Sequence, residues 1–492
     1  MSVWEAIVVW GYFVCLAFLS LFGIHRYLLT GIFLRNREER PAPADGLAGD
    51  GEPPIVTVQL PVFNERYVVV RLIDAVAGMD WPRDRLRIQV LDDSTDDTTE
   101  MAEEAAARWR ARGVDVSVLH RTDRTGFKAG ALEAGLASAA GDFVAVFDAD
   151  FLPPADFLRR LMPHFREGVG MVQARWGHVN DDYSLLTRAQ AVLLDGHFVV
   201  EHTARNRSGR FFNFNGTAGV WRIDCIREAG GWQHDTLTED LDLSYRAQLA
   251  GWEFTYLPEL LAPAELPVTL AAFKSQQHRW AKGSIQTAIK LLPRILTSDH
   301  PVAVKSEAIA HLTANVAYPL MMVVALLIPP SLLVRWRWEV GETGWLDASA
   351  FLLASLSVGF FYTVSQVAVY RDWGRRVALI PAVMTLGIGM GVNQTRAVFE
   401  ALLGKTSPFV RTPKSGVVKR GEAGLVSYRL KIGWTPWVEA GLSLYHLAGI
   451  GLAVQEGYYL ALPFQLLFLL GFGYVGFGTL FQALRPVVAA SA

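Results

Sequence analysis

The sequence predicts an α/β domain with a mostly parallel sheet, joined to an α-helical membrane region. Short apolar runs alternate with helical patterns from Ile55 to about Leu296, as expected of a parallel sheet covered by helices. Apolar stretches lie on both sides of that interval, at 3–24, 307–334, 346–370, 377–399, 437–455 and 458–483. Several of them reach the roughly 20 residues that a membrane helix needs. No stretch of that kind falls inside the interval, so the chain's 51% hydrophobic content is segregated rather than spread.

Segment 3–24 is broken only by Glu5 and reads as a retained anchor. No basic residue precedes its apolar core, and "FGIHRYLL" stands where a small-residue cleavage site would be needed. A basic patch follows, from His25 and Arg26 to Arg35, Arg37 and Arg40, and then "PAPADGLAGDGEPP", a flexible linker. The expected boundaries are an anchor at 1–34, a linker at 35–54, a cytoplasmic domain at 55–300, and membrane and interfacial helices at 301–492 with a loop at 405–431. The strands read as "IVTVQLPV", "RIQVLDDS", "VDVSVLH", "FVAVFDAD" and "GMVQARW", with helix-like stretches near 65–78, 97–112, 127–139 and 155–166. Ligands bind such sheets beyond the carboxyl ends of the strands. Acidic residues fall at two of those ends, Asp92 and Asp93 after one strand, Asp148 and Asp150 after another.

Basic residues follow the first apolar segment, and the positive-inside bias therefore puts the soluble domain in the cytoplasm. The loops at "RDWGRR" and 405–431 are basic as well, so 377–399 does not cross once. It also carries Asn393, Gln394 and Arg396, which are costly in lipid. An interfacial or re-entrant helix is expected there, leaving five spans. The net charge of −2 gives no reason to expect a nucleic-acid partner. Cys15 falls in a membrane segment and Cys225 in the soluble region, so neither a disulfide nor a metal pair is expected, and the compartment reads as reducing.

Five motifs carry chemistry. In "FVAVFDADFLPP", Asp150 is either the cap of a helix starting near Pro153 or, with Asp148, an oxygen pair for Mg2+ or Mn2+. In "VLDDSTDDT", Asp96 and Asp97 suit a helix start capped by Ser94 or Thr95, while Asp93 is better placed for a nucleoside. Lys128, in "RTGFKAGAL", is a phosphate contact or a solvated helix lysine. In "LTEDLDLSYR", Thr238 is a helix N-cap; adjacent helix residues point apart, so only one of Glu239 and Asp240 is expected to face the cleft. Asp240 is assigned as the base that accepts a hydroxyl proton, and Glu239 as structural or supportive. In "QQHRW", Gln276, Arg279 and Trp280 share one helix face. Arg279 suits a diphosphate and Trp280 a sugar ring, although an amphipathic helix with a snorkelling arginine has the same pattern. His278 points elsewhere.

Together, Asp93, Asp148, Asp150, Asp240, Gln276, Arg279 and Trp280 resemble the series of the inverting family-two nucleotide-sugar glycosyltransferases of membranes, such as cellulose, chitin and hyaluronan synthases. The likeness is closer to the cellulose-synthase-like proteins that make mannan, glucomannan or glucan. "PVFNER", "GFKAGAL", "FDADFLP", "VQARWGHVN", "FNGTAGVWR", "EAGGW", "TEDLDL" and "QQHRW" carry it across 55–296.

The resemblance implies a Rossmann-like domain that binds a nucleotide sugar through Asp93, Lys128, Asp148, Asp150, Gln276 and Arg279, with Mg2+ or Mn2+ on Asp148 and Asp150. It implies Asp240 as base and acceptor contacts at Trp280, Phe214, Asn215 and Gly216. "SPFVRTPK" is similar to the loop that closes over the nucleotide, giving Phe409, Arg411, Thr412 and Lys414 a gating role; a lipid-headgroup contact is the alternative for Arg411 and Lys414. The implied reaction moves a hexose, from UDP-glucose or GDP-mannose, to a growing β-linked glycan, β-1,4 by expectation. It is processive, with export through the enzyme's own helices, in a bacterial inner membrane. Partners are the donor, a glycan or glycolipid acceptor and membrane lipid, with no nucleic acid. The rivals are single addition to ceramide or diacylglycerol, and a non-enzymatic nucleotide-sensing pore.

Overall fold

The structure, a computed structural model, describes residues 1–39, 41, 52–338, 344–407, 414, 416 and 433–484. Its sheet holds β1 (Val56–Val62), β2 (Leu86–Asp92), β3 (Asp115–His120), β4 (Phe143–Val146), β5 (Val169–His178), β6 (Gly219–Arg222) and β7 (Glu253–Ala264). The order across the sheet is β3-β2-β1-β4-β6-β5-β7. All neighbours are parallel except those of β6, which runs antiparallel to both β4 and β5.

Side-chain alternation builds the two faces. Val56, Val58, Leu60 and Val62 of β1 enter one core with Ile88, Val90, Ala145 and Phe147. Val144 and Val146 of β4 enter the other, with Leu132, Met171, Phe214 and Trp221. Gln59, on β1 between core residues, is fully buried, and its amide nitrogen donates to Gln89 Oε1 at 3.1 Å and to the Leu132 carbonyl at 3.4 Å, while its Oε1 has no partner.

The five expected strands are present. Strands β6 and β7 are additions: β6 has only four residues, and β7 contains Pro258 and Pro263. Proline is tolerated there because β7 is the last strand of the sheet and offers an edge. The helices after β1, β2 and β3 are Val69–Ala77, Thr98–Arg110 and Phe127–Leu136. Two capping expectations fail. The helix after Asp150 starts at Phe157 with Asp156 as N-cap, and Thr98–Arg110 takes Asp97 as N-cap rather than Ser94 or Thr95.

Among the described residues, five helices are long and apolar enough to cross a membrane: Val3–Asn36, Ala314–Arg337, Leu352–Val369, Thr435–Gln455 and Tyr459–Leu484. The first carries its helix on through the basic residues His25, Arg26 and Arg35. Helices Trp373–Gly389 and Gly391–Leu402 form a pair bent by 44°, and become a sixth candidate only if that pair is one span. Two of the polar residues there are sheltered by protein: Asn393 and Gln394 are buried, and Asn393 donates to the Lys274 carbonyl at 3.0 Å, whereas Arg396 is exposed and pairs with Glu400 at 2.9 Å.

Helix Leu270–Thr297 joins the two halves of the molecule. Thr269 caps it by accepting from the Ala272 N–H. Its buried Lys274 reaches both carboxylate oxygens of Glu439 at 2.7 Å, on the Thr435–Gln455 helix.

Candidate active site

The pocket beyond the carboxyl ends of β1, β2 and β4 encloses about 160 Å3 and gathers Asp93, Lys128, Asp148, Asp150, Asn215, Gly216, Glu239, Asp240, Gln276, Arg279, Trp280 and Lys414. Residues from seven separate parts of the chain thus share one cleft.

At the β2 exit, Asp92 is consumed by structure: it accepts from the Ser94 N–H and Thr99 Oγ1, and meets His120 Nδ1 at 2.7 Å. Asp93 is the one that lines the pocket. Arg121 donates to its two oxygens at 2.8 and 2.7 Å, which fixes the carboxylate's direction. Asn64, at φ 55°, ties the β1 exit to this loop through Ser94 and Thr95; asparagine tolerates that left-handed backbone. Phe63 beside it carries the Arg124 guanidinium 3.3 Å above its ring, a flat cationic face that the sequence reading missed.

Asp148 and Asp150 follow β4. The Asp148 N–H donates to Thr217 Oγ1 at 2.9 Å, so the "FNGTAG" segment holds the first carboxylate in place. Lys128 Nζ lies 2.5 Å from Asp148 Oδ1, and Lys414 Nζ lies 2.6 Å from Asp150 Oδ2. Each carboxylate therefore already faces a positive charge. Two hard oxygen donors one residue apart, the Asp148 side chain 34% exposed, fit what Mg2+ or Mn2+ takes from a protein when phosphates complete its shell. Among the described residues, no group of three or more His, Cys, Asp or Glu side chains is arranged to hold a metal alone, so phosphate oxygens would have to contribute.

Helix Glu239–Leu249 begins at the pocket with Thr238 as N-cap. Both Glu239 and Asp240 line the cleft, against the expectation that one would. At a helix start the first two side chains still splay toward the same opening, because no preceding turn separates them. Burial, then the neighbouring Glu239 charge, raises the Asp240 carboxyl to about 7, against the opposing pull of Lys128 and Arg279. Lys128 is pulled down by burial, but Asp148 and Glu239 outweigh this and its ammonium is held above the ordinary lysine range.

Gly216, at φ 79°, has no room for more: a Cβ would stand 2.9 Å from Asp240 Oδ2 and 3.2 Å from Lys128 Nζ. Gly283 does the same for the helix behind it, where a Cβ would meet the Thr238 side chain at 2.5 Å. That close approach seats Gln276, Arg279 and Trp280 at the pocket. Phe214 is placed differently from expectation. Its ring is fully buried in the second core against Trp221 and Trp232, because alternation along "FNFNG" turns it away from the cleft. Asn215 and Gly216 alone represent the motif on the wall. His278 bonds to Glu400 at 3.1 Å, away from the pocket. Phe409, Arg411 and Thr412 lie outside the described residues, and Lys414 is where the expected loop meets the site.

Residues 53–283 match the family described as Glycosyltransferase like family 2. The chain is 34% identical to "Glucomannan 4-beta-mannosyltransferase 9" of Arabidopsis thaliana, covering 95% of this chain and 91% of that protein. It is 37% identical to "Probable glucomannan 4-beta-mannosyltransferase 9" of Oryza sativa subsp. japonica, over 86% of this chain and 82% of the relative. Among solved structures, the mannosyltransferase PcManGT from Pyrobaculum calidifontis, in complex with GDP-Man and Mn2+, superposes with a TM-score of 0.51 at 19% identity, covering 79% of this chain and 100% of that one; the fold is shared. The chain therefore belongs to the family-2 glycosyltransferases, in the cellulose-synthase-like group of the glucomannan 4-β-mannosyltransferases.

Proposed function

We propose that this membrane glycosyltransferase moves a hexose, mannose first among the candidates, from its nucleoside-diphosphate donor to the end of a growing β-1,4-linked glycan, with inversion at the anomeric carbon. The observation that carries the reading is the meeting of Asp148, Asp150, Asp240, Arg279 and Trp280 around one cleft. The names of the relatives favour mannose and a β-1,4 linkage.

Asp93, braced by Arg121, and the Phe63–Arg124 face suit the nucleoside. Arg279 and Lys128 suit the diphosphate, whose charge would offset the burial that, against nearby carboxylates, lowers the guanidinium's hold on its proton. Asp148 and Asp150 would hold a divalent cation, which when bound neutralises the departing diphosphate. Asp240 accepts the proton of the acceptor hydroxyl; a carboxyl poised near neutrality suits that task. It stands on the side where Trp280 offers a flat ring to the acceptor sugar. The hydroxyl attacks opposite the leaving diphosphate, so an α-linked donor yields a β-linked product.

Lys414, which belongs to the expected 405–431 loop, meets Asp150 at 2.6 Å, which supports a closing role for that loop. Basic residues after the first helix favour a cytoplasmic catalytic domain, and export of the glycan through the helices is part of the same proposal. The relatives above are plant proteins and give a bacterial inner membrane no support.

Purified full-length protein, supplied with GDP-mannose or UDP-glucose, a β-1,4-oligosaccharide and Mg2+ or Mn2+, tests the reading. Elongated oligosaccharide with new β-anomeric signals in proton NMR is expected. A single sugar on extracted lipid, with the oligosaccharide untouched, sinks it.

A further inference from the structure

Behind helix Leu270–Thr297, a separate cavity of about 520 Å3 lies where that helix meets Gly391–Leu402 and the start of Thr435–Gln455. That size lies within the roughly 300–1,000 Å3 usual for small-molecule pockets. Gly433, Thr435 and Pro436 border it at the beginning of one candidate membrane helix, and Thr479 near the end of another, Tyr459–Leu484. The cavity therefore stands at the membrane boundary, on the side of the catalytic domain. Among the described residues it shares Leu237 and Arg279 alone with the donor cleft.

Its charges do not balance. Among the described residues, Glu400 is the one carboxylate on the wall, against Lys274, His278, Arg279, Arg396 and Lys405. Lys274 is engaged by Glu439, and Arg279 belongs to the donor cleft. The rest converge on Glu400. Arg396 Nε donates to its Oε1 at 2.9 Å, and Lys405 Nζ lies 3.8 Å from the same oxygen. His278 Nε2 lies 3.1 Å from Oε2 and the fully buried Lys282 Nζ 3.3 Å from it. One negative charge thus serves three full positive ones even with His278 neutral. Arg396 uses only Nε on Glu400, which leaves both Nη groups of its guanidinium to donate elsewhere. Positive charges this close repel one another, so a second anion is expected beside Arg396 and Lys405, whose side chains are 40% and 64% exposed.

The surroundings say which anion. Phe399 follows Arg396 by three residues and Leu403 by seven, which puts them on one stripe of the helix. Phe399, Leu402 and Leu403 are all exposed. Trp434 and Trp437, at the start of the membrane helix beside the cavity, are exposed too, as in the aromatic belts of membrane interfaces. These apolar groups have hydrocarbon to meet, while the long stems of Arg396 and Lys405 carry their charges at headgroup height. A soluble phosphate would use the charges and leave the apolar stripe in water. An anionic phospholipid uses both, and basic pockets beside membrane helices hold such headgroups.

We propose that this cavity is a headgroup site for an anionic phospholipid of the leaflet next to the catalytic domain, its phosphate taken by Arg396 and Lys405 and its acyl chains lying against Phe399, Leu402 and Leu403. The bound lipid completes the charge around Glu400 and ties the helix that carries Arg279 and Trp280 to the leaflet. The site does not depend on which sugar the Asp240 cleft transfers.

Full-length protein in phosphatidylcholine vesicles, with a trace of phosphatidylglycerol or phosphatidylcholine dansyl-labelled on an acyl chain, tests it by energy transfer from tryptophan. Trp434, next to the cavity's Gly433 and Thr435, is a nearby energy donor. Labelled phosphatidylglycerol is expected to take up more energy than labelled phosphatidylcholine, and unlabelled phosphatidylglycerol to displace it. Arg396→Gln and Lys405→Gln should each weaken that binding about fivefold, the worth of one basic side chain beside an anionic headgroup. Glu400 keeps Lys282 and His278 in both variants, so no charge is stranded and both should fold. Arg375→Gln, at an exposed arginine outside the cavity wall, is the control. Equal transfer to both labelled lipids, unchanged affinity in both cavity variants, or an equal loss in Arg375→Gln overturns the site. Displacement by inorganic phosphate at fixed ionic strength assigns the cavity to soluble anions and overturns the lipid as occupant.

Discussion

Lys128 Nζ donates to Asp148 Oδ1 at 2.5 Å and to the Gly216 carbonyl at 2.8 Å, with Glu239 3.8 Å away. One ammonium thus joins the β4 carboxylates proposed to hold the metal to the segment beside Asp240, the proposed base. Replacing it, Lys128→Met, leaves Asp148, Glu239 and Asp240 to repel one another in a buried setting. The expected result is a fall in kcat/KM of about tenfold to a hundredfold, with the pH profile displaced to higher pH. Initial rates across a pH series check both; a profile that stays in place refutes this role for Lys128.

The pH dependence has a definite sign. Burial and Glu239 raise Asp240 to about 7. Below that pH the carboxyl keeps its proton and cannot take another, so kcat/KM should rise as pH climbs through about 7 and then level off. Asp240→Asn should cost about 10²- to 10⁴-fold while donor binding persists. A profile flat from pH 5.5 to 8, a range of roughly two and a half units spanning that value, argues against Asp240 as base.

Chelation should abolish transfer, and Mg2+ or Mn2+ should restore it. Asp148→Asn and Asp150→Asn each remove one anionic donor, raising the cation concentration needed for half-maximal rate by about tenfold or more. Full activity in the presence of excess EDTA excludes the metal role.

Gly216→Ala puts a methyl group 2.9 Å from Asp240 Oδ2 at a φ of 79°. Transfer should collapse while nucleotide-sugar affinity holds. A variant that transfers normally would mean that the acceptor end has room the geometry does not allow.

Much of this was legible in sequence because it obeys local rules. The β1, β2 and β4 runs are alternating or continuous apolar segments, and their acidic exits fall where parallel sheets bind ligands. The i, i+3, i+4 spacing of Gln276, Arg279 and Trp280 needs only helical geometry. Strands β6 and β7 were not legible: one is four residues long, the other holds two prolines, and only the sheet's tertiary order makes them strands. Phe214 was misread because a motif names residues without saying which way alternate side chains face. The Arg124–Phe63 stack and the Glu201–His197 pair escaped notice for another reason. The stack joins segments with no shared spacing, whereas His197 and Glu201, four apart and bonded at 2.9 Å, carried a helical signal that was hidden inside an apolar run. Thr217 could have been found from "FNGTAG" only by knowing that Asp148 lay beside it.

The Lys274–Glu439 pair shows how the reaction cleft is tied to the membrane. Lys274 Nζ reaches both Glu439 oxygens at 2.7 Å and Thr435 Oγ1 at 3.1 Å, all of them buried. Lys274 shares a helix with Gln276, Arg279 and Trp280, and Glu439 sits on a helix that can cross the membrane. Breaking a buried pair from one side strands the other charge and costs about 3–5 kcal/mol, whereas replacing both partners with apolar groups is often neutral. Lys274→Met should therefore lower the thermal stability of the detergent-solubilised protein sharply, and Lys274→Met with Glu439→Leu should recover most of it. The double variant should still transfer sugar more slowly than wild type, because the helix bearing Arg279 and Trp280 has lost its polar tether. Equal stability for the single and double variants removes the stranded charge from the account.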